Sequence, residues 1–112
     1  MIGGKIYRNI SLLATGILIK AGYGQVYGYH IINSAAAARF VKFYDNATAP
    51  TVGTDTPVMT IALAAAGQAT VPYGPIGAEF LLGIGIGATQ LIADADTTAP
   101  AANDVVVNVI YR

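Results

Sequence analysis

The chain offers few residue types that could do chemistry. His30 is its single histidine, Ser11 and Ser34 its only serines, and Glu79 its only glutamate. A Ser-His-Asp arrangement needs a nucleophile presented on a tight turn beside an oriented base. No segment around Ser11 or Ser34 has that form. A glycosidase pair would need an aspartate to partner Glu79, and nothing in the spacing marks one. Gly83–Ala88, GIGIGA, formally fits a dinucleotide fingerprint, with Asp104 further on. That motif works only where a helix N-terminus follows to hold the pyrophosphate, and ATQLIADADTTAP is not a helical pattern. Asp94, Asp96 and Asp104, with Thr97, Thr98 and Asn103, could offer oxygens to calcium. They lack the EF-hand spacing and its terminal glutamate, and read instead as turn-forming loop residues. Asn9-Ile10-Ser11 and Asn46-Ala47-Thr48 match the glycosylation sequon by chance, and Asn46 and Thr48 read as turn residues. The chain is therefore expected to be no enzyme and to hold no cofactor and no metal.

The elements that could position a site read as strands. Arg39, Val41, Phe43 and Asp45 alternate with Phe40, Lys42 and Tyr44, the period of a pleated strand. Asn46 to Pro57 gathers turn-forming residues. Val58 to Leu63 then resumes, with Met59, Ile61 and Leu63 on one face, so Arg39 to Leu63 predicts a hairpin with an ordered crown. Upstream, Lys5 to Lys20 is apolar with a break at Thr15-Gly16, giving two short strands or an arm. In Gln25 to Ile32, Tyr27, Tyr29 and Ile31 share a face opposite Val26, Gly28, His30 and Ile32. Asn33 to Ala38 is too short to stand as a helix and reads as a loop. Ala69 to Val71 is a short strand, Pro72 to Gly77 a turn, and Ala78 to Thr89 the longest strand. Its glycines Gly83, Gly85 and Gly87 leave a trough, for which Tyr27 and Tyr29 are the expected fillers, within the subunit or across an interface. Asp94 to Asn103 is a polar loop, and Asp104 to Tyr111 a final strand.

Seven or eight short strands separated by Gly, Pro and Thr turns point to a β-sandwich or barrel. The 112 residues suit one domain, with residues 1–20 as an arm or first strands and 21–112 as the sandwich. Composition bounds the function. Hydrophobic residues make up 54% and charged residues only 11%, against about 25% in a typical soluble domain. A folded monomer of this length should expose on the order of 5,800 Å², and so few charges cover little of it. Six basic and six acidic residues give a formal net charge of zero, which favours association and offers no basic patch for nucleic acid. There is no cysteine. No run reaches the roughly 18–20 apolar residues of a membrane helix, and no signal peptide is visible. Neither nucleic acid nor membrane is an expected partner.

The seven tyrosines are amphipathic rings suited to contact surfaces. Tyr7, Tyr23, Tyr27, Tyr29 and Tyr73 are the candidates for an assembly interface.

AAAARFVKFYDNATAPTVGTDTPVMTIAL, followed by GAEFLLGIGIGAT, DADTT and DVVVNVIY, resembles small β-sandwich virion proteins of tailed bacteriophages, over about Gln25 to Tyr111. The most distinctive part is FVKFYD…GTDTPV. The resemblance implies an all-β fold, an antiparallel jelly-roll-like sandwich, and a role as a capsid decoration or cement protein on the virion surface. Its implied partners are the major capsid protein and itself. A homotrimer is the expected form, with the N-terminal segment as a clasp. The alternative is a tail or fibre module recognising a host glycan.

Overall fold

A computed structural model describes residues 3–72 and 76–112. Among them there are nine strands and no helix: β1 (Lys5–Asn9), β2 (Ile17–Ala21), β3 (Gly24–Asn33), β4 (Arg39–Asp45), β5 (Met59–Leu63), β6 (Gln68–Pro72), β7 (Ala78–Phe80), β8 (Gly83–Thr89) and β9 (Val105–Tyr111). They form two antiparallel sheets that pack face to face. The first, sheet A, runs β1-β9-β3-β6, with β7 also on β3; the second, sheet B, runs β2-β8-β4-β5.

Registers show how nine strands fill eight positions. β6 pairs β3 over Gly28 to Ile32, and β7 pairs the same strand over Gly24 to Val26. The two short strands lie end to end along one edge. Nearly every connection changes sheet, the exceptions being the β4–β5 hairpin and the β6–β7 link. This is a jelly-roll order: of the sandwich or barrel that the strand spacing suggested, the chain forms the antiparallel sandwich.

The core lies between the sheets. Val26, Tyr29, Ile31, Phe80, Val105, Val107 and Val109 meet Val41, Phe43, Ile61, Leu63, Ile84, Ile86 and Ala88, all buried. The alternation read in β4, β5 and β9 is the observed one: Val41, Phe43 and Ile61 point inward, and Asn108 and Ile110 outward. Leu12, in the β1–β2 connection, is fully buried and closes the core from the side. β1 pairs along its whole length with β9. A deletion of residues 1–15 would thus remove an edge strand and a core side chain together.

Two local expectations are corrected. In β3 a bulge between Val26 and Gly28 puts Val26 in the core with Tyr29 and Ile31 and turns Tyr27 outward. A bulge adds a residue and so inverts the alternation beyond it. The stretch Ala78 to Thr89 is two strands in different sheets rather than one. Asp45, at the end of β4, accepts backbone N–H bonds from Leu81 (3.0 Å), Leu82 (2.8 Å) and Gly83 (3.3 Å). Those donors are therefore turned away from a ladder, and the chain crosses between sheets there. Leu82 is left exposed instead of continuing the apolar face of Phe80 and Ile84.

The loop at Asn33 to Ala38 is built around one side chain. Asn33 donates to the carbonyls of Ala37 and Ala64, each at 2.9 Å, and accepts from the Ala35 amide at 3.0 Å. A buried amide that satisfies three segments explains why NSAAAA does not become a helical turn.

Candidate functional site

The outer faces of the two sheets are treated in opposite ways. On sheet B, the outward stripe of β8 is Gly83, Gly85 and Gly87, facing Tyr44 and Lys42 of β4. The loop 46–58 folds back across this stripe. A Cβ built at Gly85 would meet the Pro50 ring at 2.9 Å, and one at Gly87 would meet Val52 at 2.7 Å. One at Gly83 would overlap the Asn46 carbonyl oxygen. The trough is thus filled by Pro50 and Val52 of the crown and by Tyr44, not by Tyr27 and Tyr29, which belong to the other sheet. Glycine at these positions permits that close backbone approach.

The crown holds its shape through Asp55, which accepts from Asn46 Nδ2 (2.9 Å) and from the Thr51 amide (2.8 Å). Beside it lies the 90–97 loop. Asp96 accepts there from the Leu91 amide (3.1 Å) and the Thr98 hydroxyl (2.6 Å). The Thr98 bond is the main reason its carboxyl is held below the ordinary value, against partial desolvation. Under both loops Lys42 is fully buried and donates to the Ala93 carbonyl at 2.6 Å. Burial pushes its ammonium below the usual lysine range, with Asp96 and Asp94 opposing. Tyr44 is also fully buried, and its phenolic oxygen has no hydrogen-bond partner among the described residues.

Among the described residues, no loop folds across the outer face of sheet A as the crown does across sheet B. Arg8 stands opposite Asn108 and Ile6 opposite Ile110, with Ile6 73% and Ile110 46% exposed. Next to them is a cavity of about 210 Å³ with a mostly apolar lining, to which Tyr27, Pro72, Ile110, His30, Thr70 and Asn108 contribute. Gly28 is its floor. A Cβ there would press on the Val71 carbonyl oxygen at 2.7 Å, so glycine lets β6 approach closely. His30 is bonded to Thr70 through Nδ1, and the guanidinium of Arg112 lies 5.6 Å above the Tyr27 ring.

The tyrosines named from sequence fall into different environments. Tyr27 forms the cavity lip and donates to Gln25 Oε1. Tyr23, exposed in the β2–β3 turn, donates to Glu79 at 3.1 Å. That bond is the chief reason its phenol is raised above the ordinary value. Tyr7 is half-buried on β1 and accepts from Asn9 at 3.0 Å. Tyr29 is a core residue whose ring lies 6.1 Å from that of Phe43. Tyr73 lies outside the described residues. Tyr23 and Tyr27 are thereby brought to one side of the sandwich, along β3. Sequence reasoning missed Ile6, Ile110 and the cavity. Their signal was the alternation of β1 and β9, but it becomes a patch only once the two strands are paired in register.

The remaining polar candidates serve the fold. Ser11 accepts from the Asn103 amide, and Ser34 donates to the carbonyls of Asn103 and Asp104. Asp104 pairs with Arg39 at 3.1 Å. GIGIGA lies in β8, a central strand of sheet B. Among the described residues no group of three or more His, Cys, Asp or Glu side chains is placed to hold a metal ion.

No protein-family model matches the chain, and no curated protein does. Among solved structures, a chain from the crystal structure of the T13 IBDV viral particle aligns with 99% of this chain at 12% identity and a TM-score of 0.28. This chain spans 36% of that chain's length. At that score the alignment carries no argument about function.

Proposed function

We propose that the chain is a structural protein of a virion, a decoration or cement protein that stabilises a tailed-phage head through subunit contacts. The observation that carries this reading is the contrast between the two outer faces. Loops of the chain itself fill the trough on sheet B, while among the described residues the outer face of sheet A presents Ile6, Ile110 and an apolar cavity. Exposed apolar surface of that kind marks an interaction site. In this reading the partners are the major capsid protein and further copies of the chain, arranged as a homotrimer on the capsid surface. The role needs no catalysis, nucleic acid or membrane. Tyr23 and Tyr27 extend the contact surface beyond the apolar patch.

The second reading is a tail or fibre module recognising a host glycan. It draws on the Tyr27 ring with His30, Thr70 and Asn108 around the cavity, since sugars stack on aromatic faces and need polar groups to orient them. The test is to incubate the purified chain with phage heads lacking it and, in parallel, with a glycan array. Saturable retention on heads supports the first reading. Array binding without retention would replace it with the second.

A further inference from the structure

The formal net charge of zero conceals a segregation of charge. In the strands of sheet A the only acidic residue is Glu79, engaged by Tyr23. Arg8 lies on the outward row of β1, opposite Asn108, and the guanidinium of Arg112 sits over the Tyr27 ring. The opposite broad side is made by loops 46–58 and 90–97, which contain Asp55, Asp94 and Asp96 and no Lys or Arg. The lysine beneath them, Lys42, is fully buried. Lys42 bonds the carbonyl of Ala93, the neighbour of Asp94, while Asp96 holds the Leu91 amide of the same loop and Asp55 holds the crown through Asn46 and Thr51. All three carboxylates therefore belong to the covered side of sheet B. Both sides also expose apolar side chains. Leu91 is 58% and Ile92 63% exposed beside Asp94, while Ile6 and Ile110 flank the cavity beside Arg8.

We propose that the 90–97 loop of one copy docks on the outer face of sheet A of the next, with Leu91 and Ile92 against the cavity and Asp94 toward Arg8. The occupant is a second copy because each face finds its complement, apolar and electrostatic, on the same molecule. Unlike a two-fold contact, such a head-to-tail contact uses two different patches, so it closes into a ring or continues as a filament. The opposite charges steer encounter and fix register, and salt weakens them. The contact deepens the assembly reading and rests on it for its role on a particle.

Sedimentation velocity of the purified chain over a concentration series tests this at low and high salt. The wild type should self-associate, more weakly in high salt. Arg8→Glu and Asp94→Arg should each weaken association about tenfold or more, and the double variant should recover most of the loss. Ile92→Gln, exposed and outside the core, should weaken it through the apolar part. Unchanged melting temperatures show that each variant is folded. A wild type that stays monomeric throughout would overturn the contact, as would a double variant no better than the single ones. A monomer that is nevertheless retained on phage heads would end the head-to-tail contact while leaving the virion reading intact.

Discussion

The ring of Pro50 occupies the space that a side chain at Gly85 would need, its Cγ and Cδ both 2.9 Å from the position of a Cβ there. One residue is in the crown between β4 and β5, the other in the middle of β8. Their contact fills the glycine trough on the outer face of sheet B, while Leu91 and Ile92 stay exposed on the neighbouring 90–97 loop.

Gly85→Ala should destabilise the fold by about 1–3 kcal/mol, the usual cost of overpacking. Pairing it with Pro50→Gly should return part of that loss, because the two changes act on one contact. Thermal unfolding of the two single variants and the double variant measures the coupling. Strict additivity would mean that Pro50 does not rest on Gly85.

Asp45 sets the sheet-to-sheet crossing at Leu81–Gly83. Burial alone would raise its carboxyl, but the amides of Leu82, Leu81 and Gly83 more than offset this and hold it below its ordinary value. A carboxyl depressed in the folded state stabilises the fold above its unfolded value of about 3.9, and this is lost as pH falls through the lower folded value. Asp45→Ala should cost about 1.5–3 kcal/mol near neutral pH, the range for hydrogen bonds to a charged group. The gap in melting temperature between this variant and the wild type should narrow below about pH 4. A gap that stays constant into acid would separate the effect from the ionised carboxylate.

Tyr44 buries its hydroxyl with no hydrogen-bond partner among the described residues. Tyr44→Phe removes the desolvation penalty and keeps the ring that packs against the glycine stripe. It should therefore leave the melting temperature unchanged or raise it. A clear fall would reveal a bond to that oxygen.

Much of the fold was legible in the chain because the strands obey a period of two and their turns are chemically marked. Arg39 to Leu63 reads directly as hairpin and crown, since inward Val41, Phe43 and Ile61 alternate with residues facing out. Local pattern could not reveal the bulge at Val26–Gly28, which reverses Tyr27. Nor could it show that Asp45 reaches the amides of Leu81 to Gly83, 36 to 38 residues further on. The glycine stripe was visible as a trough, but its occupant was not. Pro50 and Val52 reach it through a loop whose path depends on the Asp55 bonds to Asn46 and Thr51. The open face was least legible of all, because Ile6 and Ile110 lie at opposite ends of the chain and meet only through the β1–β9 register.

The most direct test of the assembly claim is co-sedimentation of the purified chain with phage heads that lack it, comparing the wild type with Ile6→Glu. Ile6 is 73% exposed, so the variant should keep its melting temperature. The account predicts saturable binding by the wild type and about tenfold or greater loss for the variant, as expected when a charge enters an apolar contact. Failure of the wild type to bind, or full binding by a folded Ile6→Glu chain, would contradict it.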